Sequence, residues 1–152
     1  MVRVGSIFVA RVAGNVIDTS VSGSIDFALT HLDVKLIIIL GHENFGAVSA
    51  ALSGEDTIAA QGPNLQKILR QIRPAVCVIP PMDDKTAHSR AAIIANVEYQ
   101  ISGVRKELTV REAENEGLVR VVGAYCHITT GEVEFLVPQN DLSEQAATKN
   151  ST

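Results

Sequence analysis

The apolar run Leu36 to Leu40, within "VKLIIILGH", constrains the fold of this chain more than any other feature. A strand with one wet face alternates apolar and polar residues. An unbroken run marks a strand covered on both faces, as in a parallel sheet. Upstream, "SIFVARVAGN" (6–15) reads as a β-branched strand closed by Gly14-Asn15, a pair that tolerates positive φ. Between the two, "SIDFALTHL" (24–32) sets Ile25, Ala28, Leu29 and Leu32 on one helical face, with Ser24 as N-cap. Strand, helix and strand in that order predict a βαβ unit with a right-handed crossover.

Downstream, Gly46 to Leu52 reads as a short helix of small residues, stopped at Gly54. Pro63 opens another, with Leu65, Ile68, Leu69 and Ile72 at core spacing. "RPAVCVIPPMDDK" is open: prolines at 74, 80 and 81 break regular structure, and the apolar piece between them fits a strand or a packed connector. A long amphipathic helix is expected from about Thr86 to Leu108, along a stripe of Ile93, Ile94, Val97, Ile101, Val104 and Leu108. "LVRVVGAYCHI" and "EVEFLV", joined through Thr129-Thr130-Gly131, predict a strand pair with a hairpin turn. The fold class is therefore α/β: a central, mostly parallel sheet flanked by helices, with a C-terminal hairpin.

The 152 residues fit one domain, expected over 1–138 with a polar, frayed tail at 139–152. A net charge of −4 and no clustered basic face argue against nucleic acid. No stretch reaches the roughly 18 unbroken apolar residues of a membrane span. The two cysteines, Cys77 and Cys126, make no disulfide framework, so a reducing cytoplasm is the expected location. Cys77, in an apolar run between prolines, reads as an inert core thiol.

Four stretches together resemble the β-class carbonic anhydrases. "IFVARVAGNV" is similar to a family strand ending Arg-x-Ala-Gly-Asn, and "SIDFALTHLDVKLIIILGHENFGAV" to the helix and strand ending Gly-His-x-x-Cys-Gly-Ala. "AAIIANVEYQI" resembles the helix with the family's Asn-Val pair, and "VVGAYCHITTGEVEFL" the terminal Gly-Ala-x-Tyr-Asp-x-x-x-Gly hairpin. The resemblance implies carbon dioxide hydration by a zinc-bound hydroxide, the metal having lowered its water's pKa towards about 7. In the family two cysteines and a histidine hold the zinc, and an Asp-Arg pair controls the fourth position.

This sequence departs from that set. The family's Cys-x-Asp-x-Arg segment would lie before the Ala-Gly-Asn strand, where this chain begins at Met1. Its His-x-x-Cys appears here as His42-Glu43-Asn44-Phe45, so His42 is the sole family ligand position kept and Phe45 stands for the second cysteine. A phenyl ring has no lone pair, and catalytic zinc needs about three protein ligands. The expectation is a protein without zinc-dependent hydration and with no cofactor. Phe45 would fill the former pocket, and His42 would bond a neighbouring carbonyl. The alternative is an active enzyme whose zinc sits on His42 with non-family ligands, or whose site a partner completes.

Other donors are few. Cys126 and His127 are adjacent on a strand and point to opposite faces. Asp84 and His88, four apart near a helix start, could pair at the surface, and Glu43 could lend an oxygen. Arg11, Gly14, Asn15, Gly41, Gly46 and Ala47 form the expected pocket or anion-binding group, Arg11 reading foremost as a salt-bridge residue. Amides following Gly46 at a helix start would receive a bicarbonate-like anion. His31 suits the negative end of its helix.

The resemblance also carries a topological consequence. In the family's strand order, 2-1-3-4-5, the segment not found here is the central first strand. Either the strand at 6–13 moves over to pair with 34–40, or a second chain supplies the strand; each unpaired buried group otherwise costs about 1 to 3 kcal/mol. Homo-oligomerisation is expected, since an all-apolar strand needs cover.

Overall fold

The computed structural model describes residues 5–136. The expected tail at 139–152 lies outside them, and with it the boundary at 138. A 3-10 turn at Ala13–Asn15 precedes α1 (Thr19–His31) and β1 (Leu36–His42). Then come α2 (Gly46–Leu52), α3 (Glu55–Ala59), α4 (Pro63–Val76), α5 (Lys85–Val104) and α6 (Leu108–Asn115). The chain returns through β2 (Arg120–Cys126) and β3 (Val133–Leu136).

The sheet is α/β and mixed, in the order β1-β2-β3. β1 runs parallel to β2 with Leu36 opposite Arg120 and His42 opposite Cys126. β3 folds back antiparallel, Ala124 facing Phe135, through a hairpin whose Gly131 takes φ +74. The helix α5 lies on one sheet face. Gly41 and Gly123 let it approach: a Cβ at Gly41 would stand 2.7 Å from Ile93 Cγ2, and one at Gly123 2.9 Å from Val97 Cγ1. Ile39, Val97, Val104, Val110 and Val121 form one core here, while Phe45, Val48, Ile58, Leu69, Ile72 and Ile93 form a second among α2, α4 and α5.

The first expected strand is not formed. Residues 7–12 have no regular secondary structure and are exposed, with Ile7 and Val9 each 64% accessible. They do not pair with β1, whose one sheet neighbour among the described residues is β2. The expected shift of 6–13 onto 34–40 is therefore overturned, and so is the βαβ unit, which needed 6–15 as its first strand. β-Branched composition favours an extended chain, but a strand exists only through a partner's hydrogen bonds. Nor is β1 covered on both faces: Ile37, Ile39 and Gly41 turn inward, whereas Leu36, Ile38 and Leu40 are exposed.

Helix boundaries moved for identifiable reasons. α1 begins six residues earlier than a Ser24 N-cap would place it, because Asp18 Oδ1 accepts the Val21 N–H at 2.9 Å and caps the helix there. The region left open from Arg73 to Lys85 is helix up to Val76 and an irregular connector from Cys77 to Asp84. α4 continues through Pro74, which lacks the N–H for one bond. Burial of Leu69, Ile72, Ala75 and Val76 holds it there. Cys77 follows as the C-cap and is exposed, so it is not the core thiol expected. The long helix ends at Val104 rather than Leu108, which opens the separate α6.

Candidate functional site

Side chains at the C-terminal ends of β1 and β2 define the candidate site. The Glu43 N–H donates to the Cys126 carbonyl at 3.1 Å, continuing the ladder one step beyond His42. Asn44 then adopts φ +55, a left-handed value asparagine tolerates, and the chain turns into α2 at Phe45. Phe45 is buried, 6% accessible, among Val16, Val48, Ala51 and Tyr125. Its ring stands 4.2 Å from the half-buried His42 imidazole, centroid to centroid. The Nδ1 atom of His42 lies 2.7 Å from the Glu43 carbonyl and donates to it, leaving the Nε2 lone pair as the donor.

Asn15, the nearest chain beyond the β1 edge, takes φ +52 and donates its Nδ2 to the Leu40 carbonyl. Residues 14–17 are in turn pinned by two buried polar side chains of α5. Asn96 donates Nδ2 to the Gly14 carbonyl at 2.8 Å. Gln100 donates to Asn96 Oδ1 at 3.2 Å and accepts the Ile17 N–H at 3.1 Å. Composition reading missed these roles. Asn96 and Gln100 stand four apart on the apolar stripe of α5, which is the signal of a satisfied buried pair.

The expected pocket group does not converge as a set. Gly14 and Gly41 are packing positions, and Asn15 caps the open strand edge. Gly46 is exposed at the start of a two-turn helix, with Ala47 half-buried behind it. Arg11, where a salt bridge was expected, is exposed and makes no ion pair among the described residues.

The carboxylates named as further donors, Asp84 and Glu43, are engaged elsewhere. Asp84 caps α5, its Oδ1 accepting from Thr86 and Ala87 N–H at 2.8 and 3.1 Å; it does not pair with the His88 ring. Glu43 turns to the hairpin: Oε2 accepts the Thr129 N–H and hydroxyl, both at 3.3 Å, and Oε1 faces His127 Nδ1 at 3.2 Å. The Thr129 amide, with His127 beside it, holds the Glu43 carboxyl below the ordinary carboxylate range. Arg90 does the same for Glu134, at 2.6 Å, and also lies 5.1 Å from the Tyr125 ring, whose hydroxyl burial pushes up. Among the described residues, no three His, Cys, Asp or Glu side chains converge to hold a metal ion. The donor set present does not fit the family's zinc.

The carbonic anhydrase family matches residues 1–133. The chain belongs to the β-class carbonic anhydrase family. It is 30% identical over 145 residues to a carbonic anhydrase of Mycolicibacterium smegmatis, covering 92% of this chain and 68% of that protein. Against carbonic anhydrase 2 of Mycobacterium tuberculosis it is 35% identical over 98 residues, 59% of this chain and 47% of the relative's length. Among solved structures it is similar to tetrameric β-carbonic anhydrases of Sordaria macrospora, with TM-score 0.80 and 26% identity, covering 90% of this chain and 71% of that one. A Coccomyxa β-carbonic anhydrase in complex with acetazolamide shares the fold, with TM-score 0.78 and 22% identity over 97% of this chain and 74% of that one. The α/β architecture is thus that of the β-class, and no described helix is long and apolar enough to cross a membrane.

Proposed function

We propose that this 152-residue chain is a β-class carbonic anhydrase relative that does not hydrate carbon dioxide through zinc on its own residues. The observation that carries the reading is Phe45, buried and stacked on His42 where the family places a zinc thiolate. One imidazole nitrogen cannot hold a divalent cation against water and cellular chelators, because catalytic zinc takes about three protein ligands. The protein's role on this reading is binding, with copies of itself as its first partner, in a reducing compartment where Cys77 and Cys126 stay free.

Association is supported by an uncovered sheet face. Leu36, Ile38 and Leu40 of β1 and Val133 and Phe135 of β3 are between 41 and 55% accessible. Exposed apolar residues at both edges of one sheet face mark an interaction surface in soluble proteins. The β1 edge beside it, unpaired among the described strands, would accept a strand from another chain. The similar β-carbonic anhydrases of Sordaria macrospora are tetrameric.

Stopped-flow hydration of carbon dioxide, on protein sized by light scattering at micromolar concentration, tests both parts. The expected result is the uncatalysed rate, unchanged by His42→Ala, from particles of at least twice the 16.2 kDa chain mass. Catalysis that His42→Ala abolishes would overturn the first part, and a monomer the second.

A further inference from the structure

A cavity of about 230 Å³ opens between the loop before α1 and the C-terminal end of α5. Tyr99, Gln100 and Ser102 of α5 line it, with Lys106 and Glu107 of the α5–α6 turn. None of these belongs to the turn that carries His42 and Phe45. The cavity is smaller than the roughly 300 to 1,000 Å³ of pockets for drug-sized ligands, so it suits a smaller molecule.

Gln100 is the buried member of that lining, only 4% accessible. Its Oε1 accepts the Ile17 N–H, which fixes the orientation of the amide, and one Nε2 hydrogen goes to Asn96 Oδ1 at 3.2 Å. The other Nε2 hydrogen has no acceptor among the described residues, and a buried donor of this kind favours an acceptor in the adjoining space. Two neighbouring charges are unmatched as well. Lys106 makes no ion pair among the described residues, and the Glu107 carboxylate takes only the Ser22 hydroxyl, at 3.3 Å. Ser102 donates its hydroxyl to the Glu98 carbonyl at 3.0 Å, so its oxygen keeps lone pairs for a further donor.

We propose that this cavity binds a small zwitterion of the α-amino acid type. The ligand's carboxylate takes the spare Gln100 N–H and the Lys106 ammonium, and its own ammonium goes to Glu107 and the Ser102 oxygen. A plain anion would meet the Glu107 carboxylate and a plain cation would meet Lys106, so neither half binds as well as the whole. Gln100 also holds the Ile17 N–H, which makes that amide a reporter of occupancy. The site does not depend on whether His42 holds zinc.

Titration of the full chain with L-serine, followed in amide proton–nitrogen spectra, tests this. The Gln100 side-chain amide and the Ile17 N–H should shift saturably, with a dissociation constant on the order of 1 mM, as a few polar contacts supply. Acetate and methylammonium, the two half-molecules, should each bind at least about tenfold more weakly. Lys106→Met and Glu107→Gln, both at exposed positions, should each weaken L-serine binding about three- to tenfold. Lys85→Met, at the start of α5, should leave it unchanged. The spectra report the folding of each variant, and either folded cavity variant decides the comparison. No saturable shift at these amides, acetate binding as tightly as L-serine, or unchanged affinity in a folded cavity variant would overturn the proposal.

Discussion

Gly14→Ala should destabilise the protein by about 2 to 5 kcal/mol, the sum of a left-handed backbone penalty and a core overpacking penalty. Gly14 holds φ +74 and is buried. A Cβ there would stand 2.2 Å from Ile72 Cδ1 and 2.9 Å from Ile72 Cγ1, both on α4. Ile72 is itself fully buried, so it has nowhere to retreat without moving its neighbours. In a chain of this size the loss corresponds to roughly 4 to 20 °C in melting temperature, measurable by calorimetry. Gly46→Ala is the matched control: no atom lies within 4 Å of its Cβ position and its φ is ordinary, so it should be neutral or slightly stabilising. Equal melting temperatures for the two variants would mean the packing around Gly14 is wrong.

Asn96→Leu should cost about 2 to 4 kcal/mol although it adds apolar volume at a buried helix position. Asn96 is fully buried and donates to the Gly14 carbonyl while accepting from Gln100. Leucine removes both bonds and leaves the Gly14 oxygen and the Gln100 amide unsatisfied, each at about 1 to 3 kcal/mol. The damage should also be directional. Residues 14–17 are held to α5 by this pair, so amide exchange at Ile17, whose N–H goes to Gln100, should rise more than at Val97 in mid-helix. Denaturant melts and site-resolved exchange measure the two effects. An Asn96→Leu variant as stable as the parent would show that the polar pair contributes nothing net, as buried polar pairs in some proteins do.

These two residues also show what could and could not be read in the one-dimensional pattern. The strand "LIIILGH" and the hairpin around Gly131 were legible because local chemistry decides them: an apolar run, a turn, a return strand. The family, too, followed from four motif stretches in order. The segment at 7–12 was misread because its residues suit a strand while its partner is not among the described strands. Pairing is a property of two segments, and composition describes one. The polar network of Glu43, His127, Glu134 and Arg90 was illegible for a related reason. Its members lie up to 91 residues apart and meet only because β2 sits beside β1, and α5 crosses them. Asn96 and Gln100 were half-legible: their spacing on an apolar stripe was visible, but not the loop they grip.

Phe45 is the exception that was readable to the atom type, since no backbone geometry can give a phenyl ring a metal-binding lone pair. That residue makes elemental analysis the most direct test. The chain should be produced with excess zinc, gel-filtered without chelator and assayed for metal per polypeptide, beside His42→Ala. The account predicts zinc far below one per chain, equal in both proteins. One zinc per chain that disappears with His42→Ala would contradict it.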